Sequence, residues 1–160
     1  MKIDIARYLP AGLSWDEERP YLKWSLLTSS LWSLTYFGRY FRAYHALFYL
    51  HQISYNKTER RLRPGAVMAP FQELMVGTPL TLFGIYFFAL LILGGFHYLY
   101  HRKGSMSIYL MKRLPNRWEL HRRCWGVPLL GAAAGLLLMT ALMLLYYLFY
   151  CCVTPDVCRP

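Results

Sequence analysis

The sequence predicts an all-α integral membrane protein with three spanning helices, at about 28–50, 78–100 and 127–150, and two observations carry most of that reading. Twenty-eight residues free of Asp, Glu, Lys and Arg separate Glu73 from Arg102, and thirty-two separate Arg123 from Asp156. Each run exceeds the roughly 20 residues that a helix needs to cross the hydrocarbon core. Between the two runs, the segment from Arg102 to Arg123 holds seven Lys or Arg and one acid, Glu119. A short basic loop between spans is retained in the cytoplasm, so it orients both helices. The composition agrees: 56% hydrophobic and 18% aromatic, with little of the alternation that half-buried strands show.

The 160 residues read as a single membrane domain of the cell membrane, multi-pass, in contact with the lipid bilayer. Residues 1–23 are polar and nearly charge-balanced, a cytoplasmic N-terminal segment. Ser14 and Glu17 have capping-box spacing, which predicts a short helix ending before Pro20. The first residues, Met1 to Arg7, lack an apolar core of signal-peptide length, so insertion is expected to rely on the spans.

Residues 24–52 allow two readings. Trp24 to Gly38 is uncharged but short for a crossing, and Arg39 and Arg42 interrupt it before a further aromatic stretch. One reading is a span over 28–50, with both arginines turned toward partner helices or snorkelling. The other is an amphipathic helix lying in the interface. With the basic loop inside, helix 78–100 must end in the cytoplasm; a crossing near 28–50 then keeps the N-terminus inside, which favours three spans.

Residues 53–77 form a connecting loop. Pro64-Gly65 is a turn signal, and a short surface or reentrant helix is expected over Met68–Met75. Asn56-Lys57-Thr58 matches a glycosylation sequon, a triplet common by chance.

Helix 78–100 opens on Thr78-Pro79, which suits an N-cap and first position. Gly84, Gly94 and Gly95 offer surfaces for close helix approach. His97, near the helix end, is expected to meet headgroups. Helix 127–150 carries Pro128 in its first turn and a small-xxx-small pair, Gly131 and Gly135. Tyr146, Tyr147 and Tyr150 are expected to mark the outer interface. Cys151, Cys152 and Cys158 follow, either as helix-end residues or with Cys158 bridged to one of the other two.

In the basic loop 102–123, Ser105 can cap a short helix that Pro115 stops, and Asn116 with Glu119 caps a second that runs into the last span. The first of these carries Ile108, Tyr109, Leu110 and Met111 within one turn, too apolar to face water. Lys103-Gly104-Ser105, the apolar stretch, and Leu114-Pro115-Asn116-Arg117-Trp118-Glu119 together resemble an element of ATP-binding-cassette exporter permeases of the second type. In that family the element follows the second span and forms the coupling helix, seated in a groove of the nucleotide-binding subunit. The resemblance implies that Gly104 and Ser105 start this helix and that Ile108, Leu110 and Met111 dock. Arg113, Arg117 and Glu119 would make polar contacts around the Leu114-Pro115 break. The chain departs from the family in having Arg102 and Lys103 where an acid is common, and three spans where about six are usual.

The resemblance implies a membrane subunit of an ATP-driven exporter. Its partners would be a cytoplasmic nucleotide-binding ATPase subunit and a further permease subunit or a second copy. No cofactor is expected on this chain: it has no phosphate-cradling Gly-rich loop with Lys, and ATP would sit on the separate subunit. The alternative is a small structural or regulatory membrane protein, packed against another through its glycine faces. The net charge of +10 sits beside the spans, and no nucleic-acid-binding module accompanies it. An enzyme and a metal site are not expected, because neither long span contains an acid and His97 stands alone within them.

Overall fold

The computed structural model describes residues 14–54, 57–103 and 118–159. Its elements, in chain order, are α1 Trp15–Ser33, α2 Thr35–Ala46, β1 Phe48–Ser54, β2 Lys57–Leu62, α3 Phe71–Met75, α4 Thr78–Lys103 and α5 Glu119–Val153. A 3-10 turn, Asp156–Cys158, follows. Among the described residues, two helices are long and apolar enough to cross a membrane, over Pro79–Tyr100 and His121–Val153.

The N-terminal half departs from expectation. Helix α1 does not stop at Pro20 but continues to Ser33. Asp16, Glu17 and Glu18 in its first turn complement the helix dipole, and Pro20 removes only one backbone donor so close to the start. Serine and threonine then weaken the ladder from within: Ser25, Thr28, Ser29 and Ser33 all turn their hydroxyls back onto carbonyls three or four residues earlier. The helix breaks at Leu34, where Leu34 N–H donates to Leu31 O at 3.1 Å and Phe37 N–H to Leu34 O at 3.0 Å.

The expected single helix over 28–50 is therefore two helical segments covering 15–46, with a strand from Phe48 onward. Strand β1 pairs antiparallel with β2, Phe48 opposite Leu62 and Leu50 opposite Arg60, so the end of the expected helix pairs with the start of the expected loop. The Arg63 N–H closes the ladder on Leu47 O at 2.9 Å. Pro64-Gly65 then turns the chain as anticipated. Ala66 N–H reaches Arg63 O at 3.1 Å, with Pro64 in the second position and Gly65 at φ +76 in the third, the requirement of a type II turn. The short helix expected over Met68–Met75 is the single turn α3. At its end Gly77 takes φ +93, which only glycine adopts without strain.

The backbone divides into two compact units, residues 1–29 with 83–139 and residues 30–82 with 140–160. In the second, a column of tyrosines forms the core. Tyr36 stacks on Tyr146 with ring centroids 4.8 Å apart, and Tyr40 and Tyr150 are buried beside them. Each buried hydroxyl finds a partner: Tyr146 shares a bond with Ser33 Oγ at 2.8 Å, Tyr40 with Thr154 Oγ1 at 3.1 Å, and Tyr150 donates to Ala69 O at 3.1 Å. This overturns the expectation that Tyr146 and Tyr150 mark an interface. Rings with satisfied hydroxyls pack inside, and Tyr147 alone of the three is exposed. All four cysteines are free thiols, so the bridge left open for Cys158 is not formed.

Arg39 belongs to the same unit, and its role is neither of those expected. Its guanidinium donates to Val76 O at 2.6 Å and Glu73 O at 2.9 Å, the carbonyls that α3 leaves unpaired at its end. Arg39→Met should lower stability by about 2 kcal/mol, since charge-assisted bonds to backbone contribute roughly 1.5–3 kcal/mol. Arg42→Met, at an exposed position, should change it by under about 0.5 kcal/mol. Thermal unfolding of the two variants in detergent checks the contrast.

Candidate functional site

The first unit holds a buried polar cluster that begins with a proline. Helix α5 starts at Glu119, not near 127, so Pro128 lies inside it rather than in its first turn. Proline has no N–H to offer the carbonyl four residues back, which leaves the Cys124 oxygen without its helical donor. That oxygen is met by His97 of α4, whose Nδ1 lies 3.1 Å away. A carbonyl can only accept, so Nδ1 carries a hydrogen. The other ring nitrogen, Nε2, lies 2.7 Å from Oε1 of Glu18, on α1.

Three helices thus meet at one imidazole. Cys124 is fully buried, His97 is 2% exposed, and the Glu18 side chain keeps 11% of its surface. With Nδ1–H committed to the carbonyl, the Nε2···Oε1 contact holds one proton, on the histidine as an ion pair or on the carboxyl as a neutral acid. Either way the pair carries no net charge, the form in which such groups are least costly to bury. The second carboxyl oxygen, Oε2, is buried without a hydrogen-bond partner among the described residues. The imidazole faces the backbone of Cys124 rather than its thiol, so the arrangement holds a proton and ties helices together. His97 was expected to meet headgroups and is instead buried where three helices of this unit meet. Its acid comes from the N-terminal segment, outside the two long spans.

Glycine lets these helices approach. The Tyr86 hydroxyl donates to Gly131 O at 2.8 Å. A Cβ at Gly131 would lie 3.2 Å from Leu90 and from the Tyr86 oxygen, and one at Gly135 only 2.6 Å from the Tyr86 ring. At Gly94 it would meet Trp125 at 2.8 Å. Gly131, Gly135 and Gly94 therefore face neighbouring helices of this same chain. Among the described residues, nothing comes within 4 Å of a Cβ at Gly84 or Gly95.

The docking residues inferred from the permease resemblance, Gly104, Ser105, Ile108, Leu110, Met111, Arg113, Leu114, Pro115 and Arg117, lie outside the described residues, as does the cap residue Asn116. Trp118 is exposed, and Glu119 is the first residue of α5 rather than the third, as a cap at Asn116 would have made it. Among the described residues, no group of three His, Cys, Asp or Glu is placed to hold a metal. No protein-family profile, curated protein or solved structure matches this chain.

Proposed function

We propose that the chain is a multi-pass cell-membrane protein whose segment 102–123 faces the cytoplasm, and that it serves as a membrane subunit of an ATP-driven exporter. A separate nucleotide-binding ATPase subunit docks on that segment, and a second copy or another permease subunit completes the transport path. The observation that carries this reading is the Gly104-Ser105, apolar stretch, Leu114-Pro115-Asn116-Arg117 spacing, joining two helices of membrane-crossing length. The exposure of Phe88, Leu91 and Phe96 on α4, and of Leu137, Leu144 and Leu148 on α5, supports a lipid-facing surface. A third crossing falls within the helical residues 15–46.

The tagged chain, solubilised in mild detergent, should carry with it a protein whose sequence contains a phosphate-binding loop, identified by mass spectrometry. Leu110→Asp with Arg117→Glu should reduce that recovery at least tenfold, because an acid in an apolar contact and a reversed charge each cost more than 1.4 kcal/mol. Undiminished recovery in the double variant overturns the docking site. In a chain whose four native cysteines are replaced by serine, a cysteine placed at Asn116 should also resist a membrane-impermeant thiol reagent in intact cells; labelling from outside reverses the topology and removes the proposal.

A further inference from the structure

A groove in the first unit is apolar along its length and bordered on α1 by two cations. It encloses about 330 Å3 and is lined along α1 from Trp15 to Leu26, with Gly131 and Ala134 of α5 contributing almost no side chain. At the rise of an α-helix the stretch from Trp15 to Leu26 covers about 16 Å. Arg19 lies about 6 Å and Lys23 about 12 Å along that stretch, so both side chains must lean back toward the helix start, the direction in which helical side chains point, to meet a headgroup at the membrane surface.

The lining is apolar although Arg19 and Lys23 belong to it. Both residues are exposed, so their methylene stems face the groove and their charged ends lie at its margin. Four residues apart on one helix, they sit on the same face. Trp15 lies one turn before Arg19, where an indole suits the headgroup level. The contacts of Glu18 with His97, and of His97 with Cys124, place this end of α1 level with the end of α4 and the start of α5. In the orientation proposed above, that is the cytoplasmic leaflet. Asp16, Glu17 and Glu18 of α1 and Glu119 of α5 are the acids of this level, and Arg19 and Lys23 of α1, Arg102 and Lys103 of α4, and Arg122 and Arg123 of α5 are its bases, so cations outnumber acids six to four.

We propose that the groove binds an anionic phospholipid, one acyl chain lying between α1 and α5 and the phosphate held by Arg19 and Lys23. The inference rests on membrane insertion but not on the ATPase. The detergent-solubilised chain, titrated with phosphatidylglycerol and with phosphatidylcholine and observed by native mass spectrometry, should bind the former on the order of tenfold more tightly, a modest return for two cations beside an anionic headgroup. Arg19→Gln with Lys23→Gln, both at exposed positions, should bring the two lipids within about twofold of each other. Ala134→Leu fills the groove from an exposed position and should weaken both lipids alike. Equal affinities in the unaltered chain, a preference that survives the double variant, or binding untouched by Ala134→Leu would each overturn the proposal. Carbonate extraction of membranes reads insertion separately: a chain that extracts as soluble overturns both readings, whereas a retained chain without lipid preference overturns this one alone.

Discussion

Replacing Glu18 with Ala should lower the stability of the detergent-solubilised chain by about 3 kcal/mol, the scale on which removing one partner of a buried pair is felt. The substitution strands His97 Nε2 at a site where the imidazole is 2% exposed. Glu18→Gln should cost less than about 1 kcal/mol. With Nδ1–H fixed on the Cys124 carbonyl, a neutral His97 presents Nε2 as an acceptor, and the glutamine amide can donate to it. The cluster also couples two positions far apart in sequence. His97→Leu leaves the Cys124 carbonyl without any donor, because Pro128 cannot supply one; in a Pro128→Ala background the backbone N–H returns and the same substitution should cost about 1 kcal/mol less. Chemical denaturation of the four proteins of this cycle measures the coupling. Additive losses would show that His97 does not stand in for the missing N–H.

Local rules account for what the sequence made legible and for what it hid. Charge-free length is a property of consecutive residues, so α4 and most of α5 could be read directly, as could the Pro64-Gly65 turn with its requirement for positive φ. Cap spacing pointed to a start of α5 ahead of the charge-free run, and the helix begins at Glu119, two residues after the position that an Asn116 cap sets. The His97–Glu18 contact joins residues 79 positions apart, and no periodicity announces it. One signal was available: a proline well inside an apolar helix frees a carbonyl, and a lone histidine in the preceding span is a ready donor for it. The tyrosines misled for a related reason. A ring with a hydroxyl suits both an interface and a core with a polar partner, and only Ser33, Thr154 and the Ala69 carbonyl decide between them. The β1–β2 pairing was hidden because Phe48 to Leu50 continue an aromatic run that reads equally well as helix. The proposed docking segment rests on sequence spacing alone.

Gly135→Leu should destabilise the chain by about 3 kcal/mol, the upper end of what overpacking a close contact costs. The first added atom already lies 2.6 Å from Tyr86 Cε1 and 3.2 Å from Phe87. A flexible side chain would swing aside, but the Tyr86 ring is held by its hydroxyl on Gly131 O at 2.8 Å, so relief on one side breaks a buried bond on the other. The helix itself favours the change, because replacing glycine by a better helix former gains up to about 1 kcal/mol, and the packing penalty must exceed that gain. Gly95→Ala isolates the gain: with nothing among the described residues within 4 Å of its Cβ, it should leave the chain unchanged or raise stability by up to about 1 kcal/mol. Opposite signs at two glycines of the spans, measured by thermal unfolding in one detergent, would tie Gly135 to helix contact within the chain. A shared sign would mean that glycine acts at both positions through backbone freedom, and that α4 and α5 do not meet as closely as the 2.6 Å approach requires.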